Sequence, residues 1–87
     1  MLEDHPAWDF TGPVPLYEQA ADWITRLRDA GQLTAGTRLP GERDLASQWG
    51  IAYQTVRRAM RELRDRGVVV SRQGRGTFIT ARDTQSP

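Results

Sequence analysis

Cysteine and lysine are both missing from this 87-residue chain, and histidine occurs once, at His5. Without cysteine there is no disulfide framework and no thiolate zinc site, and one imidazole near a terminus makes no metal site. No metal and no cofactor is therefore expected. The same absence agrees with a reducing cytoplasm, which is the expected location. Long apolar runs are lacking too. Nothing approaches the roughly 20 residues of a membrane span, and the acidic start Met1-Leu2-Glu3-Asp4 has the wrong charge for a secretory signal. A chain this short buries only about 60% of the surface it exposes when unfolded, so one small domain is the ceiling. No catalytic constellation is visible either: the acids are scattered or lie beside arginines, and His5 has no nucleophile next to it. An enzyme is not expected.

Because lysine is absent, every basic residue is an arginine, and the arginines are unevenly spread. From Arg38 to Arg75 nine arginines face four acids, a local charge of +5, while Met1 to Thr37 holds six acids and two arginines, a local charge of −4. The net charge of +1 hides this polarity. A basic half of this kind suits a polyanionic partner. The plainer alternative is a solvated helix face combined with a compositional bias towards arginine.

The pattern of apolar residues divides the chain. Residues 1–14 carry Pro6, Gly12 and Pro13 without helical periodicity, which predicts an irregular arm. Within it, Trp8 and Phe10 either dock on the domain or form a sticky patch for a partner. A first helix should begin near Pro15, bury Leu16, Ala20, Trp23, Ile24 and Leu27, and stop at Gly31. Thr37-Arg38-Leu39 reads as a short strand before Pro40. A second helix is expected over 42–49, with Leu45, Ala46 and Trp49 inward and Gly41 as N-cap. Gly50 breaks it in the left-handed conformation, and a third helix follows from about Tyr53 to Gly67. Val56, Ala59, Met60 and Leu63 form its apolar stripe, with Gln54, Arg58, Arg61 and Asp65 opposite and Thr55 and Arg57 on the flanks. Ala52 stands where a side-chain cap is expected. Val68-Val69-Val70 and Thr77-Phe78-Ile79 predict a hairpin around the five residues 72–76. Residues 81–87 read as a flexible tail.

Taken together, these elements predict an α+β winged helix-turn-helix spanning residues 15–80. One helix of such a domain can enter a major groove while the hairpin touches the flanking backbone. Arg61, Arg64 and Arg66 lie within reach of Glu62 and Asp65 and are expected to be solvated in local pairs. Trp23 and Trp49 are expected in the core.

Four spaced motifs resemble one family: Pro15-Leu16-Tyr17-Glu18-Gln19, the run from Gly36-Thr37-Arg38-Leu39-Pro40 to Ala46, Thr55-Val56-Arg57-Arg58-Ala59, and Gln73-Gly74-Arg75-Gly76-Thr77-Phe78. In this order they are similar to the GntR-family DNA-binding domain. The resemblance implies a winged-helix repressor domain on two-fold-symmetric operators, with double-stranded DNA and a possible homodimer as partners. By position it places base contacts at Arg43, Gln54, Thr55 and Arg57, and wing contacts at Gln73 and Gly74. Arginine can pair bidentately with guanine O6 and N7, and Gly74 lets backbone approach the sugar-phosphate edge. Arg38, Arg58, Arg72 and Arg75 are the phosphate-contact candidates. At Ala52-Tyr53 the sequence departs from the family, which usually has a small hydroxyl residue followed by an arginine that often reads a base. Tyr53 is kept as a base-contact candidate that can pack on a thymine methyl or meet a phosphate through its hydroxyl. The family's C-terminal effector domain is expected to be lacking, and with it any small-molecule effector site. The competing expectation is a winged-helix module that docks protein without specific DNA binding.

Overall fold

The computed structural model describes residues 2–82. Three helices, α1 (Leu16–Asp29), α2 (Glu42–Trp49) and α3 (Tyr53–Asp65), precede a hairpin of β1 (Val69–Arg72) and β2 (Gly76–Ile79). This is the expected α+β winged helix-turn-helix. Pro15 stands one position earlier than a first helical residue, as the N-cap of α1 with φ −61° and ψ 148°. Its carbonyl accepts the amides of Glu18 and Gln19 at 3.0 and 3.1 Å. α1 and α3 end alike, in the paired bonds of a Schellman motif: Gln32 N–H to Leu27 O at 2.8 Å in one, Val68 N–H to Leu63 O at 2.9 Å in the other.

The core forms where the predicted stripes meet. α1 packs chiefly on α3, and Ala20, Trp23, Ile24, Val56, Ala59, Met60 and Leu63 are all buried. Leu45 and Trp49 of α2, the loop residues Leu33 and Leu39, and Val68, Val69 and Ile79 complete one cluster. Each large aliphatic side chain taken from water stabilises the fold by about 1.5–3 kcal/mol, which fixes how α3 is presented.

Three expectations change in detail. The hairpin turn is shorter: β1 reaches Arg72 and β2 begins at Gly76, which pair directly. Only Gln73-Gly74-Arg75 turn, closed by Arg75 N–H to Arg72 O at 2.9 Å. Val68 lies outside the ladder because its N–H is used at the end of α3. The strand expected at Thr37-Arg38-Leu39 reduces to an isolated antiparallel bridge of Arg38 with Phe78. Leu39 N–H still donates to Thr77 O at 2.8 Å, and Ile79 N–H to Thr37 O at 2.9 Å. Pro40 then has no N–H with which to extend the ladder.

The N-terminal segment is the third. Leu2–Asp4 form a 3-10 turn, Leu2 is buried, and Trp8 packs against the core while Phe10 stays 66% exposed. Trp8 Nε1–H donates to Trp49 O at 2.8 Å, and Trp49 Nε1–H donates to Leu2 O at 3.0 Å. The Trp8, Trp23 and Trp49 rings meet edge-on at centroid distances of 5.9–6.1 Å, and His5 stacks on Trp8 at 4.9 Å. Gln19 latches the following stretch, accepting from Asp9 N–H at 2.9 Å and donating to Asp9 O and Val14 O. Among the described residues no helix is long and apolar enough to cross a membrane. Most of the tail expected over 81–87 lies outside the described residues.

Candidate nucleic-acid interface

α2 ends at Gly50, whose φ of +67° lies in the left-handed region that a side chain disfavours. The chain therefore turns sharply, and the first turn of α3 comes to lie beside the first turn of α2. Arg43 and Tyr53 meet there, the Arg43 guanidinium carbon 4.2 Å from the ring centroid. Arg57, one turn along α3, reaches within 5.9 Å of the same ring. Its Nε lies 3.9 Å from Glu42 Oε1, the first residue of α2. Arg43, Gln54 and Arg57 are exposed, and Tyr53 and Thr55 are half-buried. Arg43, Tyr53 and Arg57 thus share one surface formed by two helix starts, whereas Gln54 and Thr55 line the side of α3 that faces α1.

Arg58 is drawn towards α1 instead. Its guanidinium carbon stands 4.1 Å over the Tyr17 ring, and Pro15, Leu16, Tyr17, Gln54, Thr55 and Arg58 line a shallow cleft between the starts of α1 and α3. Tyr17, under Arg58, and Glu42, beside Arg57, are two further members of the interface that sequence pattern does not mark as site residues. Tyr17 lies in the motif beginning at Pro15, and Glu42 in the motif containing Arg43, but pairing across helices leaves no mark in local periodicity.

At the wing, Arg72, Gln73, Gly74 and Arg75 are all exposed. Gly76 has φ +123°, and a Cβ built there would fall 2.7 Å from Arg38 Nε. Arg38 thus lies across the start of β2, joining the wing to the loop before α2. The amino end of α3 has no side-chain cap. Ala52 O accepts the Thr55 and Val56 amides at 3.0 and 3.1 Å, and no polar side chain replaces the missing cap.

The remaining arginines behave differently. Arg66 bonds Glu62 at 2.9 Å and Asp22 of α1 at 2.9 Å. The Glu62 hydrogen bond, then Asp22, raise its pKa above the ordinary guanidinium value against the cost of burial. Arg64 Nη1–H donates to Ser71 Oγ at 3.2 Å rather than to a neighbouring acid. Arg61 is exposed.

Residues 16–79 match the family described as bacterial regulatory proteins, gntR family. The chain belongs to the GntR family. Its match places it as the helix-turn-helix DNA-binding domain of a family of transcription regulators rather than enzymes. This GntR domain is similar to the HTH-type transcriptional regulator SmoD of Agrobacterium fabrum, with 42% identity over 70 residues covering 80% of this chain and 30% of SmoD. It is similar also to the HTH-type transcriptional regulator Rv1152 of Mycobacterium tuberculosis, with 43% identity over 82 residues covering 94% of this chain and 68% of Rv1152. Among solved structures, it resembles AraR(DBD) in complex with operator ORX1, at 30% identity and a TM-score of 0.72, covering 87% of this chain and 100% of that one. The GntR domain thus spans less than a third of SmoD's length.

Proposed function

We propose that this GntR domain binds double-stranded DNA sequence-specifically and acts as a transcriptional repressor in the cytoplasm. The observation that carries the reading is the joint placement of Arg43 and Arg57 at two adjacent helix starts, outward and over one ring. Guanidinium groups so placed can meet base edges in a major groove, and Gln54 and Thr55 beside them can donate to a base or phosphate. The likeness to AraR(DBD), crystallised with its operator, supports the same docking here.

In this reading residues 15–80 are the binding unit. The wing tip at Gln73 and Gly74 approaches the sugar-phosphate edge, and Arg38, Arg58, Arg72 and Arg75 neutralise phosphates. One module of this kind covers about 600–1,000 Å² of its own surface, so a single copy binds weakly and with strong salt dependence. Two copies on half-sites about one helical turn apart supply specificity, and the homodimer forms on the operator.

Selection of bound duplexes from a random pool at moderate salt tests this. Enrichment of a two-fold motif is expected, with affinity falling steeply as salt rises. A protein-docking module would instead enrich no sequence and show a flat salt profile.

A further inference from the structure

The residue at the start of α3 that departs from the family pattern is Tyr53, and its ring is occupied. Arg43 Cζ lies 4.2 Å from the ring centroid, inside the range of a cation–π contact. Among the described residues the Arg43 side chain makes no ion pair and no hydrogen bond, so the Tyr53 ring is what holds it. Arg57, the second arginine near the ring at 5.9 Å, is restrained separately by Glu42 at 3.9 Å.

We infer that Tyr53 is a positioning residue: its ring is a shelf that holds the Arg43 guanidinium ready for a guanine edge, and its hydroxyl is not a DNA contact. The chemistry permits both contacts at once. A guanidinium is planar, so its face can rest on an aromatic ring while the in-plane N–H donors remain free for a bidentate acceptor. Arginine loses much rotational freedom when it is fixed on DNA. A shelf that restrains it beforehand reduces that loss. In this chain an aromatic at position 53 therefore acts through the arginine at position 43 of the preceding helix.

The inference rests on the proposed DNA binding, and two measurements keep the two separable. In the free protein, the Arg43 Nε–H resonance should be shifted upfield by the ring current. That shift should vanish in Tyr53→Ala and return in Tyr53→Phe. On the selected duplex, Tyr53→Ala should weaken binding about two- to five-fold, as one exposed cation–π contact would. Tyr53→Phe should recover most of it, and Tyr53→Ala should cost nothing further in an Arg43→Ala background. Equal losses for Phe and Ala would assign the role to the hydroxyl and overturn the inference. So would an undiminished loss in the Arg43→Ala background, or an Arg43 resonance that ignores position 53. If the wild-type chain selects no duplex, the proposed function fails. The resonance then still decides whether the shelf exists.

Discussion

The arginines at the two ends of α3 meet opposite fates. Arg66, which caps its carboxyl end, is held by Glu62 and by Asp22 of α1, both at 2.9 Å, and is tied into the packing of two helices. At its amino end, Arg57 has Glu42 at 3.9 Å and the Tyr53 ring at 5.9 Å, and Arg58 rests on the Tyr17 ring. Arg43, across on α2, has a ring beneath it. Close oppositely charged partners leave a guanidinium little to offer a ligand. Ring contacts orient it and leave its donors free. One helix thus has a stabilising end and a binding end, built from the same residue type. The tryptophan cluster belongs with the stabilising part, joining Leu2, His5 and Trp8 to α1 and α2.

Replacing Trp49 should separate the two regions most forcibly. Trp49→Ala removes a buried ring, the donor to Leu2 O and the wall against which Trp8 packs, and should cost about 3–5 kcal/mol. Small domains have about 5–15 kcal/mol in all, so urea denaturation should show a large fall in the unfolding midpoint.

At the binding end the order reverses. Arg57→Ala should lower affinity for the preferred duplex by about 1–3 kcal/mol and relax preference at one base pair, while Arg72→Ala weakens all sequences alike and lowers the salt slope by about 1. Both should change unfolding by no more than about 0.5 kcal/mol, as exposed positions do. Parallel titrations of matched and mismatched duplexes check this, and an unchanged base preference in Arg57→Ala would remove that residue from the reading surface.

A finer test lies in the arm. Trp8→Phe keeps a ring but loses the donor to Trp49 O, which should cost about 0.5–1.5 kcal/mol of stability and leave the duplex preference untouched. A thermal melt read beside a binding curve separates the two.

The smallest effect concerns Asp9. Amides of Thr11 and Gly12, and then the Thr11 hydroxyl, donate to its carboxylate and hold its pKa below the ordinary value. A depressed folded-state pKa stabilises the fold above the unfolded value of about 3.9, and that contribution is lost as pH falls through the folded pKa. Carbonyl-carbon NMR should show Asp9 titrating on the acid side of about 3.9 without any change in Arg43 or Arg57 resonances.

Much of this organisation is written in local pattern. The stripe Leu16, Ala20, Trp23, Ile24, Leu27 and the stripe Val56, Ala59, Met60, Leu63 follow from a period of 3.6, and Gly50 from the need for a left-handed residue between helices. The surface at the starts of α2 and α3 was legible by position, since Arg43, Tyr53 and Arg57 were all named from sequence. Their mutual contacts were not, because a ring and a guanidinium ten residues apart leave no periodic trace. The turn at Leu2–Asp4 was hidden for a similar reason. It has no stripe of its own and is anchored by an indole 47 residues away. At Arg38 the pattern does not separate a strand from the isolated bridge that forms, because β-type residues before Pro40 suit either.

The three tryptophans are the only ones in the chain, and all sit in one knot of touching indoles. None belongs to the outward face of α3 or to the hairpin. Intrinsic emission at long wavelength will therefore report whether the arm is seated, and optical work on the arginine surface requires a dye attached there or a labelled oligonucleotide.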